Sequence, residues 1–267
     1  MGRFDGQVAI VTGSGAGIGQ AIAARLAEEG GSVCVADVDL PSAEAAASRI
    51  RDLGHHAVAR QMDVTDRASV VNAVGWTKVQ LGPVDVLINN AAACNDTPLL
   101  DLTEADWDRD VDVTLKGAFF CAQAVLPDMQ ARGSGSIVNL GSVNGFHYLG
   151  NAAYSAAKAG LVSLTRSLGV RYGRDGIRTN MVAPGTIRTA AWDDRLARDP
   201  HVLDDLAKWY PLGRVGTVED VAAAVAFLAS REASWITGTV LTVDGGLLAG
   251  NAPMVADIFN STTRMSS

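Results

Sequence analysis

The sequence predicts an α/β domain, a doubly wound parallel sheet with helices on both faces. Three observations predict it. Short apolar runs alternate with longer stretches of helical periodicity, the runs lack the every-second-residue polarity of half-exposed strands, and a glycine-rich turn joins the first run to the first helix.

Residues 7–12, Gln-Val-Ala-Ile-Val-Thr, form the first predicted strand. Gly13-Ser-Gly-Ala-Gly-Ile-Gly19 then leads into 20–29, where Ile22, Leu26 and intervening alanines recur at helical spacing. Gly13, Gly17 and Gly19 let the chain turn tightly and approach a diphosphate, and the helix N-terminus offers free N–H groups to that anion. Residues 31–36 form a second strand that ends in Asp37, about twenty residues past the glycines, where a carboxylate accepts from the adenosine ribose hydroxyls. An Asp here repels a 2′-phosphate and no arginine flanks it, so NAD is expected over NADP; read alone, Asp37 merely opens a turn. Further strands are predicted at 57–62, 84–89, 135–140, 177–182 and 238–243, with helical patterns between them.

Tyr154 and Lys158 lie four residues apart on a predicted helix, which puts a phenol and an ammonium on one face. A phenol titrating near 10 serves as a base at neutral pH only if a nearby positive charge stabilises its phenolate, and a lysine one turn away does that. Ser142 is a candidate third member. The pair alone occurs on many surface helices, and it is the glycine turn and Asp37 that lift it.

The 267 residues, 48% of them hydrophobic, suffice for a large core, and no linker, charge block or repeat divides them. Residues 1–250 therefore read as one dinucleotide-binding and catalytic domain and 251–267 as a C-terminal extension. In it, 252–259 are apolar enough to dock near the chain's own lid or a neighbour's, and 261–267 are expected to fray. A net charge of −7 without a basic cluster argues against a nucleic-acid surface. No apolar run of about eighteen residues spans a bilayer, and the N-terminus carries no signal-peptide pattern, so a cytoplasmic protein is expected. Cys34 and Cys121 lie in apolar stretches as small hydrophobes, Cys94 belongs to no CxxC pair, and the four histidines form no ligand pair, so no catalytic metal is expected.

From about Phe4 to Leu247 these features resemble the short-chain dehydrogenase/reductase family of the NAD-dependent, Tyr-x-x-x-Lys kind, a Rossmann-like fold. Gly13, Ser14, Gly17, Ile18 and Gly19 resemble its cofactor turn, Asp37 and Val38 its ribose-binding strand end, Asp63 and Val64 its adenine-contacting pair, and 89–92, with Asn90 and Ala91, its Asn-Asn-Ala-Gly stretch. Pro184, Gly185, Ile187 and Thr189 are similar to the loop that holds the nicotinamide amide, and 242–246 to the closing signature. The resemblance implies that Tyr154 exchanges a proton with the substrate oxygen, Ser142 hydrogen-bonds that oxygen, and Lys158 holds the nicotinamide ribose and lowers the phenol's pKa. Thr114 stands where the family has an asparagine that bends a helix for a proton relay; a threonine bonded back to the preceding turn can bend a helix too, and the relay is expected to survive in weakened form. Residues 186–212 resemble the family's lid. There, Trp192, Trp209 and Tyr210 either cover a substrate ring or sugar or pack the lid itself. Asn144 and His147 are further substrate candidates, although His147 also reads as a solvated loop residue. These candidates suit a sugar, polyol or hydroxylated ring as the alcohol or ketone, with steroid or ketoacyl reduction and non-catalytic NAD sensing as alternatives. A homotetramer is implied by the resemblance alone.

Overall fold

In the computed structural model, which describes residues 2–264, seven parallel strands lie in the order β3-β2-β1-β4-β5-β6-β7. They are β1 (Val8–Thr12), β2 (Ser32–Asp37), β3 (Ala57–Gln61), β4 (Val86–Asn89), β5 (Gly135–Leu140), β6 (Ile177–Pro184) and β7 (Val240–Val243). Every strand β1 to β6 is followed by at least one helix: α1 (Gly17–Glu28), α2 (Leu40–Asp52), α3 (Arg67–Leu81), α4 (Glu104–Val111), α5 (Gly117–Arg132), α6 (Ala152–Tyr172), α7 (Asp193–Arg198), α8 (Val202–Ala207), α9 (Val218–Ala229); α10 (Ala252–Arg264) ends the described chain.

All seven predicted strands form, and their ends move for local reasons. β6 runs on through Pro184 because that residue pairs with Val243, and the missing proline N–H costs nothing where Gly185 N donates to Val243 O instead. β4 begins at Val86, two residues late, although Asp85 already joins its neighbours: its N–H donates to Val8 O at 2.8 Å, its carbonyl accepts from Ser136 N at 2.9 Å, and its carboxylate accepts from Val8 N at 2.9 Å.

Two apolar layers sandwich the sheet. On one face Ile22, Leu26, Ala47, Ile50, Val221 and Val225 pack from α1, α2 and α9; on the other Val70, Val74, Cys121, Val125 and Met129 pack from α3 and α5. Cys34 and Cys121 are buried in this second layer as expected, and Cys94 is exposed. Because chain order reverses beside β1, the C-terminal ends of β1 and β4 diverge into a crevice, the usual ligand position in such sheets. α10 runs through the apolar stretch of the extension and on to Arg264 where fraying is expected; Met265, Ser266 and Ser267 lie outside the described residues. Its Pro253, Met254 and Ile258 border a cavity shared with Trp209 of the 186–212 segment, so the extension lies beside that segment. Among the described residues no helix is long and apolar enough to cross a membrane.

Candidate active site

The sequence-derived cofactor residues gather at the C-terminal edge of the sheet. Gly17 sits at φ +58°, and a Cβ there would meet nothing closer than Thr189 Cγ2 at 3.8 Å, so the glycine turn and the loop after β6 face one another. Gly19 is needed for close approach: a Cβ would lie 2.3 Å from Gly13 O and 2.5 Å from Asn90 Nδ2. The Asn90 amide donates to Thr12 O at 3.0 Å and Gly13 O at 2.8 Å, and Ala91 N donates to Thr12 Oγ1 at 3.1 Å, which pins the turn from β4. Ser14 is buried, its hydroxyl donating to Val11 O and accepting from Ala36 N, so it stitches β1 to β2.

No side chain caps α1, in contrast to α3, α4 and α9, which are capped by Asp66, Thr103 and Thr217. Its first N–H groups, Ile18 among them, thus face the crevice with the helix dipole behind them. Asp37 accepts from Gly15 N at 2.9 Å and Asp39 N at 3.1 Å, which fixes its carboxylate beside the turn, with Val38 exposed next to it. Asp63 accepts from Thr65 N and Oγ1 at the end of β3, while Val64 is buried against Gly117. Pro184 and Gly185 close β6, and Ile187 is buried where the chain bridges to Gly216. A glycine turn that a Cβ would block, an uncapped helix N-terminus and a carboxylate at the end of β2 fit a dinucleotide.

Beyond β5, Ser142, Tyr154 and Lys158 come together. The Lys158 ammonium lies 5.3 Å from the Tyr154 ring centroid and donates to Leu140 O at 2.5 Å, so it faces the ring from a buried position. Behind it a buried chain runs from Asn89 Nδ2 to Asn139 Oδ1 (2.8 Å) and from Asn139 Nδ2 to Thr165 Oγ1 (2.9 Å), locking α6 to the sheet. Sequence reasoning missed this chain, and only the asparagines inside apolar strands hint at it. Ser142 Oγ donates to Asn144 Oδ1 and accepts from Asn144 N, both at 3.2 Å, and Asn144 Nδ2 donates to Gly150 O, so Asn144 shapes the loop that carries the serine.

The electrostatics depart from the sequence expectation. Although part of Tyr154 reaches solvent, burial pushes its phenol up to about 12; the Ser142 hydroxyl pulls it down, and Cys94 and Asp110 add to the rise. Burial likewise pushes Lys158 down to about 7. Desolvation is the largest cause at both groups, and it favours their neutral forms. An amine neutral when folded and charged when unfolded destabilises the fold at low pH, a penalty relieved as pH rises from about 7 towards the ordinary 10.5. Comparing the parent with Lys158→Met by thermal unfolding, the midpoint difference should move in the parent's favour between about pH 6 and about pH 9. A constant difference would show that the amine does not titrate there.

Thr114 also differs from expectation. Residues Asp112–Lys116 form a π-turn between α4 and α5, and the buried Thr114 hydroxyl accepts from Ala93 N at 3.2 Å and donates to Ala93 O at 3.3 Å. It bonds not to its own turn but to the loop after β4. The π-turn carries one residue more per hydrogen-bonded ring than the α-helices on either side of it. Thr114→Val should cost about 1–3 kcal/mol in urea unfolding, because two backbone groups lose a buried partner; an unchanged midpoint would show that water replaces it.

Within the 186–212 segment the aromatics divide. Tyr210 is buried, its hydroxyl accepting from Thr186 N and donating to Thr186 Oγ1, so it packs the base of the segment. Trp209 instead lines a cavity of about 400 Å³ with His147, Tyr148, Leu149, Leu247 and Leu248. Trp192 carries the Arg195 guanidinium 5.1 Å above its ring.

The family model described as enoyl-(acyl carrier protein) reductase matches residues 13–248. A probable short-chain type dehydrogenase/reductase of Bradyrhizobium diazoefficiens is 43% identical over 268 residues, covering 98% of this chain and 94% of that one. The chain belongs to the short-chain dehydrogenase/reductase family. Membership makes it an oxidoreductase that binds a nicotinamide cofactor and acts on small molecules. A cis-4-hydroxycyclohexanecarboxylate dehydrogenase of Sinomonas cyclohexanicum is 42% identical over 248 residues, 92% of this chain and 98% of its own. Among solved family members, a gluconate 5-dehydrogenase from Burkholderia cenocepacia J2315, in complex with NADP and tartrate, superposes with a TM-score of 0.87 at 37% identity, over 93% of this chain and 97% of that one.

Proposed function

We propose that this enzyme is an NAD-dependent dehydrogenase/ketoreductase that interconverts a secondary alcohol and a ketone on a sugar, polyol or hydroxylated ring. The observation that carries the reading is the Lys158 ammonium 5.3 Å from the Tyr154 ring, beside Ser142, at the crevice edge. A bound nicotinamide supplies the hydride acceptor or donor. Tyr154 takes the proton from the alcohol oxygen in oxidation and returns it in reduction. Ser142, held by Asn144, donates a hydrogen bond to the same oxygen and keeps it within reach of the phenol. Lys158, fixed by Leu140 O, places a cation that favours the phenolate at the moment of transfer and also binds cofactor hydroxyls. Thr114 holds the loop that flanks the phenol, completing the catalytic set.

On the cofactor side we assign Gly13, Ser14, Gly17, Ile18 and Gly19 to the diphosphate, Asp37 and Val38 to the adenosine ribose, Asp63, Val64, Asn90 and Ala91 to the adenine half, and Pro184, Gly185, Ile187 and Thr189 to the nicotinamide amide. Substrate contacts fall to Ser142, Asn144, His147 and Trp192, with Trp209 added by the cavity it shares with His147. A pocket with aromatic walls and a few polar groups matches a hydroxylated ring, and the relative acting on a hydroxycyclohexane carboxylate is consistent with that class. We place the enzyme in the cytoplasm as a homotetramer, with the partly exposed Trp107, Phe119 and Leu241 on its contact faces; sedimentation as a monomer would contradict this.

A panel of sugars, polyols, cyclic alcohols and steroids, each with NAD and followed by absorbance of the reduced cofactor, tests the reading. Turnover of a ring or sugar alcohol is expected. Silence across the panel would leave a nicotinamide-binding protein without turnover.

A further inference from the structure

The loop that follows β4 does more than pass the crevice. It is held from behind at two points: Asp110, itself buried, accepts from Asn95 N at 3.0 Å, and Thr114 grips both backbone groups of Ala93. Asn95 Oδ1 closes a local turn onto Thr97 N and Oγ1. Asp96 therefore stands on a fixed base, and its two carboxylate oxygens reach in different directions.

Oδ1 accepts from Asn151 Nδ2 at 2.8 Å; the same amide also donates to Asn95 O at 2.8 Å. Asn151 immediately precedes α6 at φ 56°, a left-handed conformation that asparagine tolerates better than most residues, and its carbonyl accepts the first helical bond, from Ser155 N. Its side chain does not cap the helix and serves only to fasten the helix start to the loop. Oδ2 accepts from Arg195 Nη2 on α7, in the segment that resembles a lid, and that guanidinium lies over Trp192. The thiol of Cys94, partly desolvated although the residue as a whole is exposed, is pushed up to about 11 and feels Asp110, Asp96, Lys158 and Arg195, so the lid cation and the reacting groups surround one loop.

We infer that Asp96 is a positioning residue, a latch whose single carboxylate ties the substrate-covering helix α7 to the start of the helix that carries Tyr154 and Lys158. The inference rests on the reading of 186–212 as a substrate lid. The Arg195 and Asp96 side chains are 44% and 70% exposed, so their pairing adds little to global stability. What it sets is the balance between a closed and an open lid, and salt weakens it. Closing the lid confines substrate, so the latch acts on KM more than on kcat.

Hydrogen exchange on the full chain tests the latch without any need for turnover. Arg195→Gln and Asp96→Asn should each raise amide exchange across 190–207, by about three- to five-fold as befits an exposed pair, with the thermal midpoint unchanged. Arg195→Lys should restore most of the protection, and the double variant should exchange no faster than either single one, because both break the same contact. On a substrate found in the panel, the single variants should raise KM by the same factor with kcat within about two-fold, and high salt should do likewise to the parent. Unchanged exchange in both single variants, or additive effects in the double, would overturn the latch. Faster exchange in a chain that turns over nothing would leave the latch standing and remove the catalytic reading instead.

Discussion

Tyr154→Phe should lower turnover by about 10³-fold or more while nicotinamide cofactor binding stays near the parent's value. The phenyl ring fills the same space beside Lys158, and neither the glycine turn nor Asp37 touches it, so what is lost is the hydroxyl. A positioned acid–base group contributes typically 10²–10⁴-fold. Burial pushes the phenol up to about 12 and the amine down to about 7. Steady-state rates and a cofactor titration on the same preparation check this, and a Phe variant with near-normal rate would refute the proton-transfer role.

The second large effect is at Asp37. Its carboxylate is fixed by Gly15 N and Asp39 N and cannot swing away from a 2′-phosphate without breaking both bonds. Like charges about 4 to 5 Å apart at a half-exposed site repel by roughly 1–4 kcal/mol, so the parent should prefer NAD by about 10²-fold in kcat/KM. Asp37→Ser should erase most of that preference, chiefly by improving use of NADP. A structural relative is solved with NADP bound, so the fold by itself does not exclude a 2′-phosphate. Equal use of both cofactors by the parent would remove the role given to this carboxylate.

The central strands were legible because they are short runs buried on both faces, as β1 is throughout, whereas the edge strands β3 and β7 are only partly buried. The glycine turn was legible because Gly17 and Gly19 answer to backbone demands that no other residue meets. The Tyr154 and Lys158 pairing followed from helical spacing. The destination of the Thr114 hydroxyl did not, because a threonine has equally good local acceptors and only tertiary packing directs it to Ala93. Nor did the partner of Lys158, a main-chain oxygen at Leu140 that no residue type announces. The charge argument for the phenol captured attraction and missed burial, which depends on three-dimensional packing. Asp96 was invisible for a similar reason: its two partners are 55 and 99 residues away.

Such long separations impose an order of events during synthesis. Asn90, whose amide clamps Gly13, lies 77 residues downstream of it. A nascent polypeptide therefore exposes its diphosphate loop while the clamp is still untranslated, and the loop gains that anchor only once β4 has been made.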